Sequence, residues 1–233
     1  MLNKEQIQNI EQGSLEHGIF ELASLYPGQV VFSSSLGQED QVIMDAIFRN
    51  QLAVKIFTID TGRMFPETYD LLDITIARYK QPITIYFPEA SDVEEYVHQK
   101  GVNAFYESVE NRKACCHIRK VKPLNRALTG VKVWITGLRG EQSPNRKDLK
   151  MIEWDEQREL LKFNPLIHWN YEDVLEYLKT NFVPTNALHE KGFISIGCAP
   201  CTRAIEIEED PRAGRWWWET SRKECGLHQT LEE

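Results

Sequence analysis

No stretch of this chain is apolar for long enough to cross a bilayer. Its hydrophobic runs fall far short of the ~20 residues a membrane helix needs, which excludes a helical membrane protein. Positive charge is not in excess either. The 27 Lys and Arg face 35 Asp and Glu, giving a net charge of -8, which excludes a general nucleic-acid binder with a basic face. The N-terminus, Met1-Leu2-Asn3-Lys4-Glu5-Gln6, has no basic segment leading into an apolar one. It does not read as a secretion signal, so the expected compartment is the cytoplasm. Internal repeats, low-complexity tracts and long linkers are missing as well. What is present is ordinary for a folded protein: 42% hydrophobic and 27% charged residues, in a chain of 233 that fits one α/β domain.

Cysteine is scarce and unevenly placed. The five are Cys115-Cys116, Cys198-Ala199-Pro200-Cys201 and Cys225. An odd count leaves one unpaired under any disulfide scheme, and a reducing cytoplasm disfavours disulfides, so metal binding or redox work is expected. Around the first pair, residues 111–122 hold Arg112, Lys113, Arg119, Lys120 and Lys122 and no acid. A solvated helix face explains most basic runs; two thiols inside this one favour a charge-matched anionic site. Zinc and iron–sulfur compete for the first four cysteines. Cys198 and Cys201 fit a zinc knuckle, whereas the adjacent Cys115-Cys116 makes a poor one, with His117 as a substitute ligand. An iron–sulfur cluster needs only four converging thiolates, and its net charge of about -2 would be offset by Arg119 and Lys120. A thioredoxin-like role for Cys198–Cys201 ranks third, because Ser195-Ile196-Gly197 carries no helix signature. Cys225 stands apart in Lys223-Glu224-Cys225-Gly226-Leu227-His228. A thiol of pKa ~8.5 is little ionised at neutral pH. Arg222, Lys223 and His228 would lower that value, which favours a catalytic thiol over an incidental one.

Strand and helix signals alternate through the first 140 residues. Strands are predicted at 29–33, 53–59, 83–87 and 132–136. Helices are predicted at 4–26, after Gly37 (Val42, Ile43, Ala46, Ile47), from Pro66 (Tyr69, Leu72, Ile76 and Tyr79 on one stripe) and at 91–100. This is the pattern of an α/β protein with an open, mostly parallel sheet and helices on both faces. Met151–Phe163 reads as a hairpin and Tyr171–Thr180 as a helix; after Thr202 no period is visible. Such sheets bind ligands at the carboxyl ends of their strands. Those ends carry Ser33-Ser34-Ser35-Leu36-Gly37, Asp60-Thr61-Gly62-Arg63 and Thr136-Gly137-Leu138-Arg139, which together favour a nucleotide cleft over ordinary turns. The first loop lacks the Gly-Lys-Ser/Thr ending of a Walker loop. Trp216, Trp217 and Trp218 cannot all face one core, so at least one is exposed, covered by a partner or part of a lid. Arg212 and Arg215 could clamp a sulfate or phosphate, or else pair with the acidic run Glu206–Asp210.

Four motifs in this order resemble assimilatory adenylyl-sulfate (APS) reductase: the stretch from Cys115-Cys116-His117 to Pro123-Leu124, Gly197-Cys198-Ala199-Pro200-Cys201-Thr202-Arg203, Gly214-Arg215-Trp216-Trp217-Trp218-Glu219, and Glu224-Cys225-Gly226-Leu227-His228. The sister phosphoadenylyl-sulfate (PAPS) reductases keep the last motif and lack the cysteine pairs. The resemblance implies an adenine-nucleotide α-hydrolase-like fold in a single domain, with a mobile C-terminal tail at about 203–233. It also implies a 4Fe-4S cluster on Cys115, Cys116, Cys198 and Cys201. Cys225 would attack the sulfur of APS, expel AMP and become a Cys-S-sulfonate that thioredoxin or glutaredoxin reduces to sulfite. Lys120 would lie between cluster and sulfate, His228 would assist the nucleophile, and Arg212 and Arg215 would hold sulfate and phosphate. Ser35, Gly37, Asp60, Gly62 and Arg139 would line the substrate pocket. Neither nucleic acid nor membrane is implied, and the tryptophan run suits a subunit interface in a homo-oligomer. Two departures stand out: Gly140 occupies a place where the family more often has a second arginine, and Ser35-Leu36-Gly37-Gln38-Glu39 differs from the usual loop.

Overall fold

The computed structural model describes residues 2–142, 146 and 148–219. Helix α1 (Lys4–Gln12) starts where Asn3 accepts from the Gln6 amide and the Gln6 side chain accepts from the Asn3 amide, a reciprocal capping box. Then follow α2 (Leu15–Leu25), β1 (Val30–Ser34), α3 (Gln38–Arg49), β2 (Lys55–Ile59), α4 (Pro66–Tyr79), β3 (Thr84–Tyr86) and α5 (Ala90–Lys100). Next come α6 (Val109–Cys116), a π-helical turn (His117–Val121), α7 (Lys122–Ala127), β4 (Val133–Ile135), β5 (Ile152–Asp155), β6 (Leu160–Phe163) and α8 (Tyr171–Thr180).

The strands form one sheet in the order β3-β2-β1-β4-β6-β5. β1 pairs in parallel with β2 and β4, and β4 with β6, while the hairpin strand β5 runs antiparallel to β6. Central strands of such a sheet are covered on both faces, which is why Val30, Val31 and Phe32 read as an unbroken apolar run. The open, mostly parallel α/β sheet expected from the alternation is therefore observed. The chain leaves β1 toward β2 and β3, then resumes at β4 on β1's other side, so the strand order reverses between β1 and β4. That reversal is where open sheets take ligands.

By contacts the chain divides into two compact units, each assembled from separate segments. One comprises Met1–Thr58, Glu67–Thr84 and Gly130–Asn186; the other Ile59–Pro66, Ile85–Thr129 and Ala187–Glu233. The expected stripe on α4 needs correction: its buried positions are Thr68, Leu71, Leu72 and Thr75, and Tyr69 is exposed. Both threonines are satisfied inside. Thr75 donates to the Leu71 carbonyl and accepts from Gln41, and Thr68 accepts from Asn186. A hydrophobic stripe cannot register a face buried through hydrogen bonds. Among the described residues no helix is long and apolar enough to cross a membrane.

Candidate functional site

At the reversal point of the first unit, Ser34–Gly37 turns the end of β1 into α3. Both the amide and the hydroxyl of Ser35 donate to Asp40 Oδ2, at 2.5 and 2.7 Å, and Leu36 (φ 62°) donates its amide to Ser34 Oγ at 3.0 Å. Leu36 thus sits in the left-handed region, where local hydrogen bonds must hold a non-glycine residue. Burial pushes the Asp40 carboxyl up to about 6. Its other oxygen faces Gly137 at the end of β4, where any Cβ would collide with it. The absence of a side chain at 137 is what lets the β4 end approach α3. Arg139 is buried; it donates to Glu39 at 3.0 Å and Glu141 at 3.3 Å and lies over the Tyr171 ring. Sequence reasoning brought Ser35, Gly37 and Arg139 to this neighbourhood but missed Asp40 and Glu39, which organise it.

The second unit gathers the thiols. Cys115 and Cys116 end α6, and Cys198 and Cys201 bracket a short 3₁₀ turn. All four line one cavity, together with Arg63, Arg112, Arg119, Lys120 and Trp216. Three cations of the basic run therefore face the cysteines. Lys113 and Lys122 are exposed instead, Lys122 pairing with Asp92 at 2.9 Å. His117 is exposed too and does not line the cavity. Arg112 makes a two-pronged, fully buried ion pair with Glu219 (2.7 and 3.0 Å) and lies over the Trp216 ring. Arg119 donates to the Thr61 carbonyl at 2.6 Å, and the Thr61 hydroxyl lies 3.3 Å from Cys198 Sγ. Asp60 accepts from the Gly62 amide at 2.7 Å, so the two close a turn; Gly62 adopts φ 70° there.

A crossing of two strand-like segments clasps this cavity. Thr202 bridges Arg215, the Arg203 amide donates to Gly214 and the Trp216 amide donates to Cys201. Trp216 is 1% exposed and Trp217 40%, which answers the question posed by the tryptophan run: one goes in, one goes out. Arg212 and Arg215 lie in a turn, with the Arg215 amide donating to the Arg212 carbonyl. Arg215 is buried over Trp216 and bonds Ser195 Oγ and the Ile196 carbonyl; Arg212 donates its own amide to Asp210. Within the acidic run, Glu209 pairs with Arg203. Cys225 and His228 lie outside the described residues.

Burial pushes the Cys201 thiol up to about 12, with the Cys198 charge adding to it and Lys120 and Arg215 opposing. Burial likewise raises Cys115. Such thiols ionise only against strong positive charge or a bound metal. Among the described residues no three His, Cys, Asp or Glu side chains are disposed to hold a single metal ion. Yet the donor set is four soft thiols, and beside them the Trp216 and Trp218 indole nitrogens and Arg215 Nε are buried with no hydrogen-bond acceptor among the described residues. Buried donors of this kind call for an acceptor, and for Trp216, which lines the cavity, an anion held there would supply one.

A mostly parallel sheet with a polar turn at its reversal point, and a cavity lined by four thiols and basic side chains, define an α/β protein equipped for thiol chemistry. Residues 29–204 match the phosphoadenosine phosphosulfate reductase domain, and the chain belongs to that family. It is 52% identical over 202 residues to the adenosine 5'-phosphosulfate reductase of Rhizobium meliloti (strain 1021), covering 86% of this chain and 76% of the relative. The reductase of the same description from Allochromatium vinosum is 48% identical over 201 residues, 86% of this chain and 78% of its own. Among solved structures, a phosphoadenylyl-sulfate reductase from Candida auris in a phosphate complex superposes with a TM-score of 0.72 at 29% identity, over 88% of this chain and 98% of its own. Yeast FAD synthetase (TM-score 0.56, 19% identity, 86% and 66% coverage) shares the fold alone.

Proposed function

We propose that the protein reduces adenylyl sulfate to sulfite and AMP in sulfate assimilation, with Cys225 as nucleophile. The observation that carries the reading is the meeting of two distant cysteine pairs around one cavity lined by Arg63, Arg112, Arg119 and Lys120. The names of relatives at about half identity support APS as the substrate.

Cys115, Cys116, Cys198 and Cys201 would hold a 4Fe-4S cluster, for which four soft thiols and nearby cations are fitting partners. When bound, that group supplies a fixed negative centre around which the cysteine segments are organised. The remaining chemistry belongs to the chain. The sulfur of APS is shielded by anionic oxygens, so an approaching thiolate is repelled. Lys120, Arg212 and Arg215 would neutralise that charge, and His228 would help keep Cys225 as thiolate. The Cys225 sulfur forms a bond to the sulfate sulfur while the bond from that sulfur to the phosphate oxygen breaks, and AMP leaves with the electron pair. The resulting Cys-S-sulfonate is attacked at Cys225 Sγ by one thiol of a dithiol protein such as thioredoxin. Sulfite departs, the second thiol resolves the mixed disulfide, and the two electrons come from the dithiol. Ser35, Gly37, Asp60, Gly62 and Arg139 are proposed as nucleotide contacts. Arg139 would act chiefly by fixing Glu39 at the start of α3.

The test is incubation with APS alone followed by intact-mass measurement. The expected result is one sulfite adduct per chain, absent in Cys225→Ser and discharged by reduced thioredoxin. A Cys225→Ser protein that kept full turnover would refute the nucleophile. Parallel turnover of APS and PAPS fixes the substrate.

A further inference from the structure

Among the described cations that line the four-thiol cavity, Arg63 comes from outside the basic run, whereas Arg112, Arg119 and Lys120 belong to it. It is tied in at two levels. Its main-chain carbonyl accepts from the Ala199 amide at 2.8 Å, inside the Cys198–Cys201 turn. Its guanidinium donates to the Val102 carbonyl at 2.7 Å and to Asn103 Oδ1 at 3.1 Å, and lies 5.1 Å over the ring of Phe105. Phe105 is itself fully buried against Cys201 and Trp216. The side chain is therefore held by two hydrogen bonds and a stacked ring, which fixes where its charge falls.

Its acceptors are both neutral. Arg112, by contrast, is matched by the Glu219 carboxylate and brings little net charge to the cavity. Resting on the cluster reading above, we propose that Arg63 is a built-in counter-charge for the anionic iron–sulfur group, stabilising it and raising its reduction potential. Asn103 is the positioning residue that aims the guanidinium. Groups next to a metal's ligands tune its affinity and potential in this way.

The full-length, iron-loaded protein tests this, with Arg63→Gln, Arg63→Lys and Asn103→Ala compared with the wild type. Three quantities are read: the rate at which a chelator bleaches the visible absorbance, the reduction potential by spectroelectrochemistry, and KM for APS. Arg63→Gln is expected to bleach about tenfold faster and to show a more negative potential. Arg63→Lys should fall between, since it keeps the charge and loses the fork. Asn103→Ala should shift both readouts in the same direction by less, and it decides the matter if Arg63→Gln does not load iron. Wild-type bleaching and potential in these variants would overturn the inference. So would a raised KM for APS with unchanged cluster readouts, which would make Arg63 a substrate ligand. A wild-type protein that takes up no iron overturns the cluster reading itself, and Arg63's role with it; a loaded wild type with indifferent variants sinks only Arg63.

Discussion

Gly214 shows how much can depend on one missing methyl. A Cβ there would collide with the Arg203 carbonyl, a main-chain atom that cannot swing away, and the Arg203–Gly214 hydrogen bond holds the crossing beside Cys201. Gly214→Ala is expected to cost about 1–3 kcal/mol in urea unfolding. At Gly197 the obstacle is the Arg215 guanidinium, a side-chain end that a Cβ would push off its Ser195 and Ile196 partners. Gly197→Ala should therefore cost less in stability than Gly214→Ala and raise KM for APS; an unchanged KM would argue against Arg215 as a sulfate or phosphate ligand. The Arg112–Glu219 pair makes a sharper forecast. Arg112→Met strands a buried carboxylate and should cost about 3–5 kcal/mol, whereas Arg112→Met with Glu219→Leu should recover most of it in a double-mutant cycle. At this scale the cysteines and the basic run were legible because their chemistry is written in residue type. Asp40 was not, since its importance comes from burial and from the bare Cα of Gly137.

Between β1 and α3, Asp40 ties the loop to the helix that follows it. Its carboxyl holds a proton up to about 6 in the fold, against 3.8 ordinarily, so the folded state binds that proton more tightly than the unfolded chain. The sign follows: its burden on stability is absent below about pH 4, grows as pH rises to about 6, and is constant above. Asp40→Asn, which never ionises, should gain on the wild type across that window by on the order of 2–3 kcal/mol. Urea midpoints at pH 4 and pH 7 for both proteins measure it; a gap that did not widen would contradict the burial argument. Helices and strands of the sheet were visible in the sequence because a doubly covered strand is an apolar run and a packed helix has a period. The α4 face was misread because threonines line it. The segment 187–219 offered motifs but no secondary-structure period, being built of short turns and a bridge.

For the molecule as a whole, the four cavity thiols link metal content to stability. If iron holds Cys115, Cys116, Cys198 and Cys201 together, removing it leaves buried thiols whose ionisation is resisted and cations with no anion between them. Chelated protein should melt several degrees lower and take up four more alkyl groups per chain by mass spectrometry; equal labelling with and without iron would refute the ligand set. The two-unit division was hidden from sequence reading because each unit is stitched from three separate segments, so no linker marks a boundary. One consequence of the Arg112–Glu219 clamp concerns distance. Cys225 follows Glu219 by six residues, so a fully extended chain carries it no more than about 20 Å from that clamp. A flexible leash of that length would give the thiol an effective concentration around the cavity on the order of millimolar. Small thiols in solution would have to match that concentration before they could compete with it.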